Sequence, residues 1–215
     1  MKTLIIFTLL TFFGSYPKAS EDAIKFIQKN QKQIDNTLSD LTAQERNIAM
    51  AIVAPEISQF STFTDFFEMR SLYIMYLNSG TADFSVGYFQ MKPSFVETLE
   101  SYVEKNKSLQ SRFSKLLPKG SERERREFRL KKLGSLEGQL QYLDLFMAVA
   151  KMKTAKLKFS DLKRKIRYWA TMYNSGLGIS YDKNMSMQKR KLFPREEKTF
   201  NYSEVVYEFY QKLIN

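Results

Sequence analysis

Apolar residues recur every three or four positions along most of the chain, which is the spacing of one face of an α-helix. No alternating apolar and polar stretch longer than about four residues predicts a strand, and no internal repeat is evident. The predicted helices lie at 20–38, 43–54, 63–78, 95–106, 122–132, 136–153, 162–176 and 202–215. The expected fold class is therefore mainly α, in a single domain.

Local signals mark where some of these helices begin and end. Thr42 with Glu45, and Ser94 with Glu97, have the spacing of a capping box, so each pair predicts a helix start. Pro55 restricts the backbone of the residue before it. The second helix is therefore expected to end at about Pro55.

The first residues have the order of a secretory signal peptide: Lys2, then the apolar run TLIIFTLLTFFG, then small and polar residues. The apolar run is shorter than the ~20 residues that a membrane-spanning helix needs. We expect residues 1–19 to be a signal peptide that is cleaved near Ala19, and residues 20–215 to be the mature domain. The expected location is the periplasm or the medium. The alternative interpretation of the apolar run is a buried N-terminal helix.

The chain contains no Cys and no His. Their absence excludes a thiol nucleophile, a Ser-His-Asp triad and zinc sites built from Cys and His. It also removes the Cys that a lipoprotein anchor needs, so no stable membrane anchor is expected. Any catalysis must rest on Asp, Glu, Lys, Tyr or Ser, and no metal or cofactor is expected.

The formal net charge is +11, and two of the positive charges, Lys2 and Lys18, belong to the expected leader. In an exported protein this excess suggests an anionic polymer or a membrane surface as the partner. No nucleic-acid partner is expected, since no recognition module is evident. The basic residues cluster at 119–132 and 189–198. The simpler interpretation of these clusters is a solvated helix face and a basic loop.

Three segments contain polar residues or glycines that the pattern of an amphipathic helix does not account for. AIVAPEISQFS places Glu56 at the end of an apolar helix, and DFSVGYFQMKPS places Gln90 among apolar residues. WATMYNSGLG places Tyr173 and Asn174 where a helix gives way to glycines. Taken singly, each segment has an ordinary explanation: a solvated acid, a core amide with internal partners, and a helix C-cap.

Taken in order, the three segments resemble the lysozyme-like fold of lytic transglycosylases. That family carries a Glu-Ser start, a Gly-Leu-Met-Gln-Ile-x-Pro-Ser middle and an Ala-Tyr-Asn-x-Gly end. Here GYFQMKPS matches the middle closely and YNSG matches the end, whereas PEISQF matches the start only at the Glu, the later Ser and the Phe. Ile57 stands where the family usually has Ser. The resemblance spans roughly residues 45–178, with an insertion before the middle segment that is similar to goose-type lysozymes.

The resemblance implies one mainly α, lysozyme-like domain that cleaves the β-1,4 bond between MurNAc and GlcNAc in peptidoglycan glycan strands. Glu56 is then the single acid and base, and the product carries a 1,6-anhydro-MurNAc end. The apolar neighbours of Glu56 are expected to raise the pKa of its carboxyl by penalising the charged form. The implied substrate-binding residues are Ser58, Asp83, Gly87, Tyr88, Gln90, Tyr173 and Asn174.

Among these residues, Gly87 is expected to let the backbone approach a sugar, and Gln90 to hydrogen-bond that sugar. Gln90 and Tyr173 are expected to orient the substrate and Glu56, and Asn174 to hold the local turn. Met91 and Phe95 are expected to pack in the core.

Two other functions remain open. A muramidase would use Asp83 as a second carboxylate, at about 5 Å from Glu56 for retention or about 6.5–9.5 Å for inversion. Asp83 also has an ordinary interpretation as a loop cap. A lysozyme-fold protein that binds the cell wall without cleaving it is the other alternative, favoured by Ile57.

Overall fold

The computed structural model describes residues 16–60, 65–195 and 198–215, and most of these residues are helical. The helices are α1 (Tyr16–Lys29), α2 (Gln31–Thr37), α3 (Ala43–Gln59), α4 (Asp65–Ser79), α5 (Pro93–Lys105), α6 (Lys107–Phe113), α7 (Glu122–Leu133), α8 (Leu136–Thr154), α9 (Leu162–Ser175), α10 (Tyr181–Met187) and α11 (Tyr202–Ile214). A 3₁₀ turn lies at Ser114–Leu116. Two short strands, β1 (Phe193–Arg195) and β2 (Lys198–Phe200), form an antiparallel hairpin. The mainly α class is confirmed.

Helix α3 lies at the centre of the fold. Every residue from Ile48 to Pro55 is buried, and a helix that is apolar on all sides must be enclosed by its neighbours. Helices α1, α9 and α11 pack against it. The position of α3 is therefore fixed by three other helices.

Helix α3 continues through Pro55 for a further turn, so the predicted end at the Pro is wrong. Proline has no N–H to donate, which leaves a carbonyl in the preceding turn without its helical partner. Two tertiary features stabilise the added turn. Pro55 and Ile57 are buried, and the Tyr202 hydroxyl donates a hydrogen bond to the Ile52 carbonyl at 2.7 Å. This added turn carries Glu56.

One predicted capping box is present and the other is not. Thr42 and Glu45 form the first box, with hydrogen bonds in both directions. At the start of α5, the Ser94 hydroxyl does not cap the helix, so the second box is wrong. The Ser94 N–H instead donates to the carboxylate of Asp83 at 3.2 Å, and an acid from the preceding loop caps the helix.

Two predicted elements differ in extent. The single helix expected at 20–38 is divided into α1 and α2 at Asn30, whose side chain donates to the Phe26 carbonyl at 2.8 Å. Such a bond competes with the helical backbone ladder. The segment between α9 and α11, expected to be a basic loop, contains α10 and the hairpin.

Most of the expected signal peptide, residues 1–15, lies outside the described residues. Helix α1 begins at Tyr16, so the expected cleavage position near Ala19 falls inside it. Ser20 is buried and accepts a hydrogen bond from Lys212 at 2.7 Å. Cleavage and export stay predictions. No helix in the described part of the chain has the length and apolar character to cross a membrane.

Candidate active site

Two clefts adjoin the C-terminal end of α3. Cleft A has a volume of about 490 Å³ and is lined by residues that include Glu56, Asp83, Gln90, Phe95, Tyr173 and Asn174. Cleft B has a volume of about 300 Å³ and is lined by residues that include Glu56, Asn174, Met187, Arg190, Asn201 and Tyr202. Because both clefts share Glu56 and Asn174, they lie next to each other.

Glu56 lies in the last turn of α3 and is half-buried. Burial raises the pKa of its carboxyl to about 7, although a hydrogen bond with Tyr202 offsets part of that rise. No basic residue in the described part of the chain pairs with it. The C-terminal end of a helix also disfavours negative charge. At neutral pH the carboxyl is therefore present in both its protonated and its ionised form. A residue that acts as both general acid and general base needs both forms.

Tyr202, the first residue of α11, is a site residue that the sequence did not reveal. Its hydroxyl donates to the Ile52 carbonyl at 2.7 Å and is also hydrogen-bonded with Glu56. Burial raises the pKa of Tyr202 well above its ordinary value, and the Glu56 charge raises it further, so the phenol keeps its proton. The phenol has one proton, which it gives to the Ile52 carbonyl; turned toward Glu56, the same proton stabilises the carboxylate, which is the direction in which Tyr202 shifts the pKa of Glu56.

Tyr173 is buried and lines cleft A. Its hydroxyl donates to the Phe89 carbonyl at 2.6 Å, so it joins α9 to the turn that contains Gln90. Burial raises its pKa well above the ordinary value, and the charge of Glu56 adds to the rise. Tyr173 is thus close to the acid, and its role in orienting Glu56 or a substrate stays a prediction.

Gln90 reaches cleft A from a tight turn. Val86 and Met91 close this turn with backbone hydrogen bonds in both directions at 2.9 and 3.2 Å. Gly87 and Gln90 have φ values of 71° and 49°, and the left-handed region is uncommon for a residue other than glycine. The Gln90 amide donates to the Gly87 carbonyl at 2.8 Å. One of its two amide hydrogens is therefore used inside the turn.

Gln139 of α8 is a second residue that the sequence reasoning missed. It is buried, accepts a hydrogen bond from the Phe89 N–H at 2.8 Å and donates to the Leu133 carbonyl at 2.7 Å. A Cβ at Gly87 would overlap the Gln139 amide. The glycine therefore lets the Gln139 side chain pack against the backbone of the turn, and not a sugar as expected. The sequence does contain one sign of this role: Gln139 is a polar residue four positions before Leu143, within the apolar face of a helix.

The structure does not bring every predicted residue to the clefts. Tyr88 packs between Phe26 and Phe60, with ring centroids 4.5 and 4.7 Å away. The Ser58 hydroxyl donates to the carbonyl three residues earlier at 2.7 Å. Gly87, Tyr88 and Ser58 line neither cleft A nor cleft B. Ile57 is buried in the core and lines neither cleft. Met91 is buried as predicted, and the half-buried Phe95 packs against Tyr173.

Asp83 lines cleft A, as Glu56 does. Its carboxylate accepts the Ser94 N–H at 3.2 Å and lies 3.9 Å from the Lys92 ammonium. These contacts match the interpretation of Asp83 as a cap. Asn174 is exposed at the junction of the two clefts, where it is accessible to a ligand in either.

The basic cluster at 119–132 is partly neutralised by acids of the same helix. Arg123 pairs with Glu127 at 3.1 Å, and Arg125 pairs with Glu122 at 3.5 Å. Exposed pairs of this kind contribute little to stability. They do reduce the net charge that α7 presents to solvent.

No family model, curated protein or solved structure matches this chain. Across the described residues, no group of acidic side chains is arranged to hold a metal ion. The geometry of the two clefts and the resemblance of the three segments are therefore the features that point to a function.

Proposed function

We propose that the protein is a lytic transglycosylase of lysozyme-like fold that cleaves the MurNAc–GlcNAc bond of peptidoglycan. The observation that carries the proposal is the environment of Glu56: a half-buried carboxyl that lines an accessible cleft, has no cationic partner among the described residues and has a pKa of about 7. The sequence resemblance supports it further, because the residues Gln90, Tyr173 and Asn174 all line cleft A with Glu56.

In the proposed reaction, neutral Glu56 gives its proton to the glycosidic oxygen while the bond from that oxygen to C1 of MurNAc breaks. The resulting carboxylate then takes the proton of the MurNAc C6 hydroxyl as that oxygen forms a bond to C1. The product is a 1,6-anhydro ring, and no water is consumed. Tyr202 stabilises the carboxylate form of Glu56 by a hydrogen bond, and Gln90 and Asn174 supply hydrogen bonds to the sugars.

Hydrolysis is the second candidate, because Asp83 lines the same cleft as Glu56. In that reaction the Asp83 carboxylate would attack C1 or activate a water molecule. Its contacts with Ser94 and Lys92 favour a capping role. The single-carboxylate reaction therefore remains the main proposal.

Mass spectrometry of digested peptidoglycan tests the proposal. Transglycosylation predicts soluble products that are one water lighter than hydrolysed fragments, whereas water at every new end would refute it in favour of a muramidase. Asp83→Asn keeps an oxygen that can cap α5 but removes the charge. Hydrolysis predicts that this variant loses activity as fully as Glu56→Gln, and transglycosylation predicts a loss of less than about tenfold. If the wild-type protein releases no fragments, catalysis is ruled out.

A further inference from the structure

Asn201, which lines cleft B, carries a buried hydrogen-bond donor without a partner among the described groups. Asn201 is 4% exposed, and its side-chain oxygen accepts from the Ser203 N–H at 2.9 Å and the Ser203 hydroxyl at 2.6 Å. Since a backbone N–H only donates, this contact fixes which end of the amide is the oxygen. The nitrogen, Nδ2, has no hydrogen-bond partner among the described groups. Buried polar groups are nearly always paired, so this one calls for a ligand.

A cation lies in the same cleft. Arg190 is exposed and lines cleft B, and no ion pair joins it to an acid in the described part of the chain. Glu56 is the one acidic residue that the described lining of cleft B contains. With that carboxyl in its neutral form, cleft B is positively charged. Cleft A differs, because its cation, Lys92, lies 3.9 Å from the carboxylate of Asp83.

We propose that cleft B binds the peptide side chain of peptidoglycan, with Asn201 Nδ2 donating to an amide carbonyl and Arg190 pairing with a carboxylate. This inference rests on the proposed function. In an intact strand the lactyl carboxyl of MurNAc is amide-linked to the peptide, so the free carboxylates of each repeat belong to the peptide. A guanidinium pairs with a carboxylate through two parallel hydrogen bonds. The protein therefore prefers strands that carry peptides to strands whose lactyl carboxyl is capped by a simple amide.

Calorimetry tests the preference with two soluble glycan fragments, one carrying the peptide and the other carrying a methylamide on the lactyl group in its place. The Glu56→Gln protein is used, so that no substrate is consumed. It is expected to bind the peptide-bearing fragment about tenfold more tightly, and Arg190→Ala is expected to abolish that difference. Lys189→Ala is the matched control, because Lys189 is the exposed neighbour of Arg190 and lines a separate cavity. Equal losses in the two variants, or no binding of either fragment, would overturn the proposal.

Asn201 is tested with Asn201→Ser, which keeps an oxygen to cap α11 and removes the amide donor. The expected result is weaker binding of the peptide-bearing fragment and little change for the methylamide fragment. Thermal unfolding checks that the variant folds, and Asn201→Asp is a second variant that keeps the cap and lacks the donor. Equal binding by the wild type and both folded variants would refute the role of Asn201.

Cleavage assays separate this inference from the proposed function. A protein that binds with the stated preference but releases no product refutes the catalysis and leaves the inference standing. If the wild type and Arg190→Ala both cleave the two kinds of strand at the same rate, the inference is refuted and the proposed catalysis stands.

Discussion

Two glutamates are largely shielded from solvent, and their partners differ. Glu100 is 3% exposed and is bound by Arg129 at 2.7 Å and by the Tyr142 hydroxyl at 2.8 Å. Glu56 is half-buried, lies against two clefts and has a tyrosine, Tyr202, as its hydrogen-bond partner. Burial raises the pKa of both carboxyls, but at Glu100 the Arg129 charge and hydrogen bond oppose that rise.

This difference in partners distinguishes an acid that stabilises the fold, Glu100, from an acid that can take part in catalysis, Glu56. A buried carboxylate that has a guanidinium beside it keeps its charge and fixes two elements together, here α5 and α7. A carboxyl without a cation has little to hold its charge, so its proton becomes exchangeable near neutral pH. Burial alone does not identify an active site. The informative combination is burial, no cation and access to a cleft.

The largest expected effect is on activity at Glu56. Glu56→Gln removes the proton that the proposed reaction transfers, and we expect the release of soluble fragments from peptidoglycan to fall by about 10³-fold or more. Glu104→Gln is the matched control, because Glu104 is an exposed glutamate on α5. If Glu56→Gln clears cell walls as fast as the wild type, Glu56 is not the catalyst.

The next effect is on stability at Glu100. Arg129→Met leaves the buried carboxylate without its cation, and breaking a buried pair costs about 3–5 kcal/mol of unfolding free energy. Urea denaturation measures this loss. Removal of both partners in Arg129→Met/Glu100→Gln is expected to restore part of it. An Arg129→Met protein as stable as the wild type would contradict the structural assignment of this pair.

Sequence reasoning captured what is local and missed what is distant. Thr42 with Glu45 marks a helix start within four residues, so the cap could be predicted. Tyr202 is 150 residues from the Ile52 carbonyl that it binds, and no local pattern encodes such a contact. The error at Pro55 has the same origin, because burial and Tyr202 outweigh the local backbone preference there.

Part of the candidate site could be predicted because some of its residues belong to recognisable local segments. Glu56, Gln90, Tyr173 and Asn174 stand in short segments that break the helical pattern, and all four line cleft A. Tyr202 and Asn201 stand at an ordinary helix start. Their relevance depends on what packs beside them, which spacing along the chain does not show.

A third effect is the pH dependence of stability. The pKa of Glu56 is about 7 in the folded protein and near its ordinary value of 4.5 in the unfolded chain. Between these pH values the unfolded chain loses a proton that the folded protein keeps, so stability falls as pH rises, by up to about 3 kcal/mol. Glu56→Gln does not titrate. It should therefore gain stability over the wild type at pH 8 and not at pH 4.

Urea denaturation at both pH values measures this difference, and Glu100→Gln supplies the contrast. That variant leaves Arg129 without its buried carboxylate, so at pH 8 it is expected to be less stable than the wild type. A stability difference between Glu56→Gln and the wild type that does not change with pH would mean that the pKa of Glu56 is unperturbed.

The smallest expected effect concerns charge that acts at long range. Exposed charges attract an anionic polymer over about 8 Å at physiological salt, so binding to intact peptidoglycan should weaken as salt rises. Replacing Arg123, Arg125 and Lys131 by Gln should reduce that binding only about two- to threefold, since acids of α7 already offset two of these charges. Cleavage of short soluble fragments should change less, because Glu56 acts at contact distance. If pull-down is insensitive to salt and to the substitutions, the basic cluster is a solvated helix face.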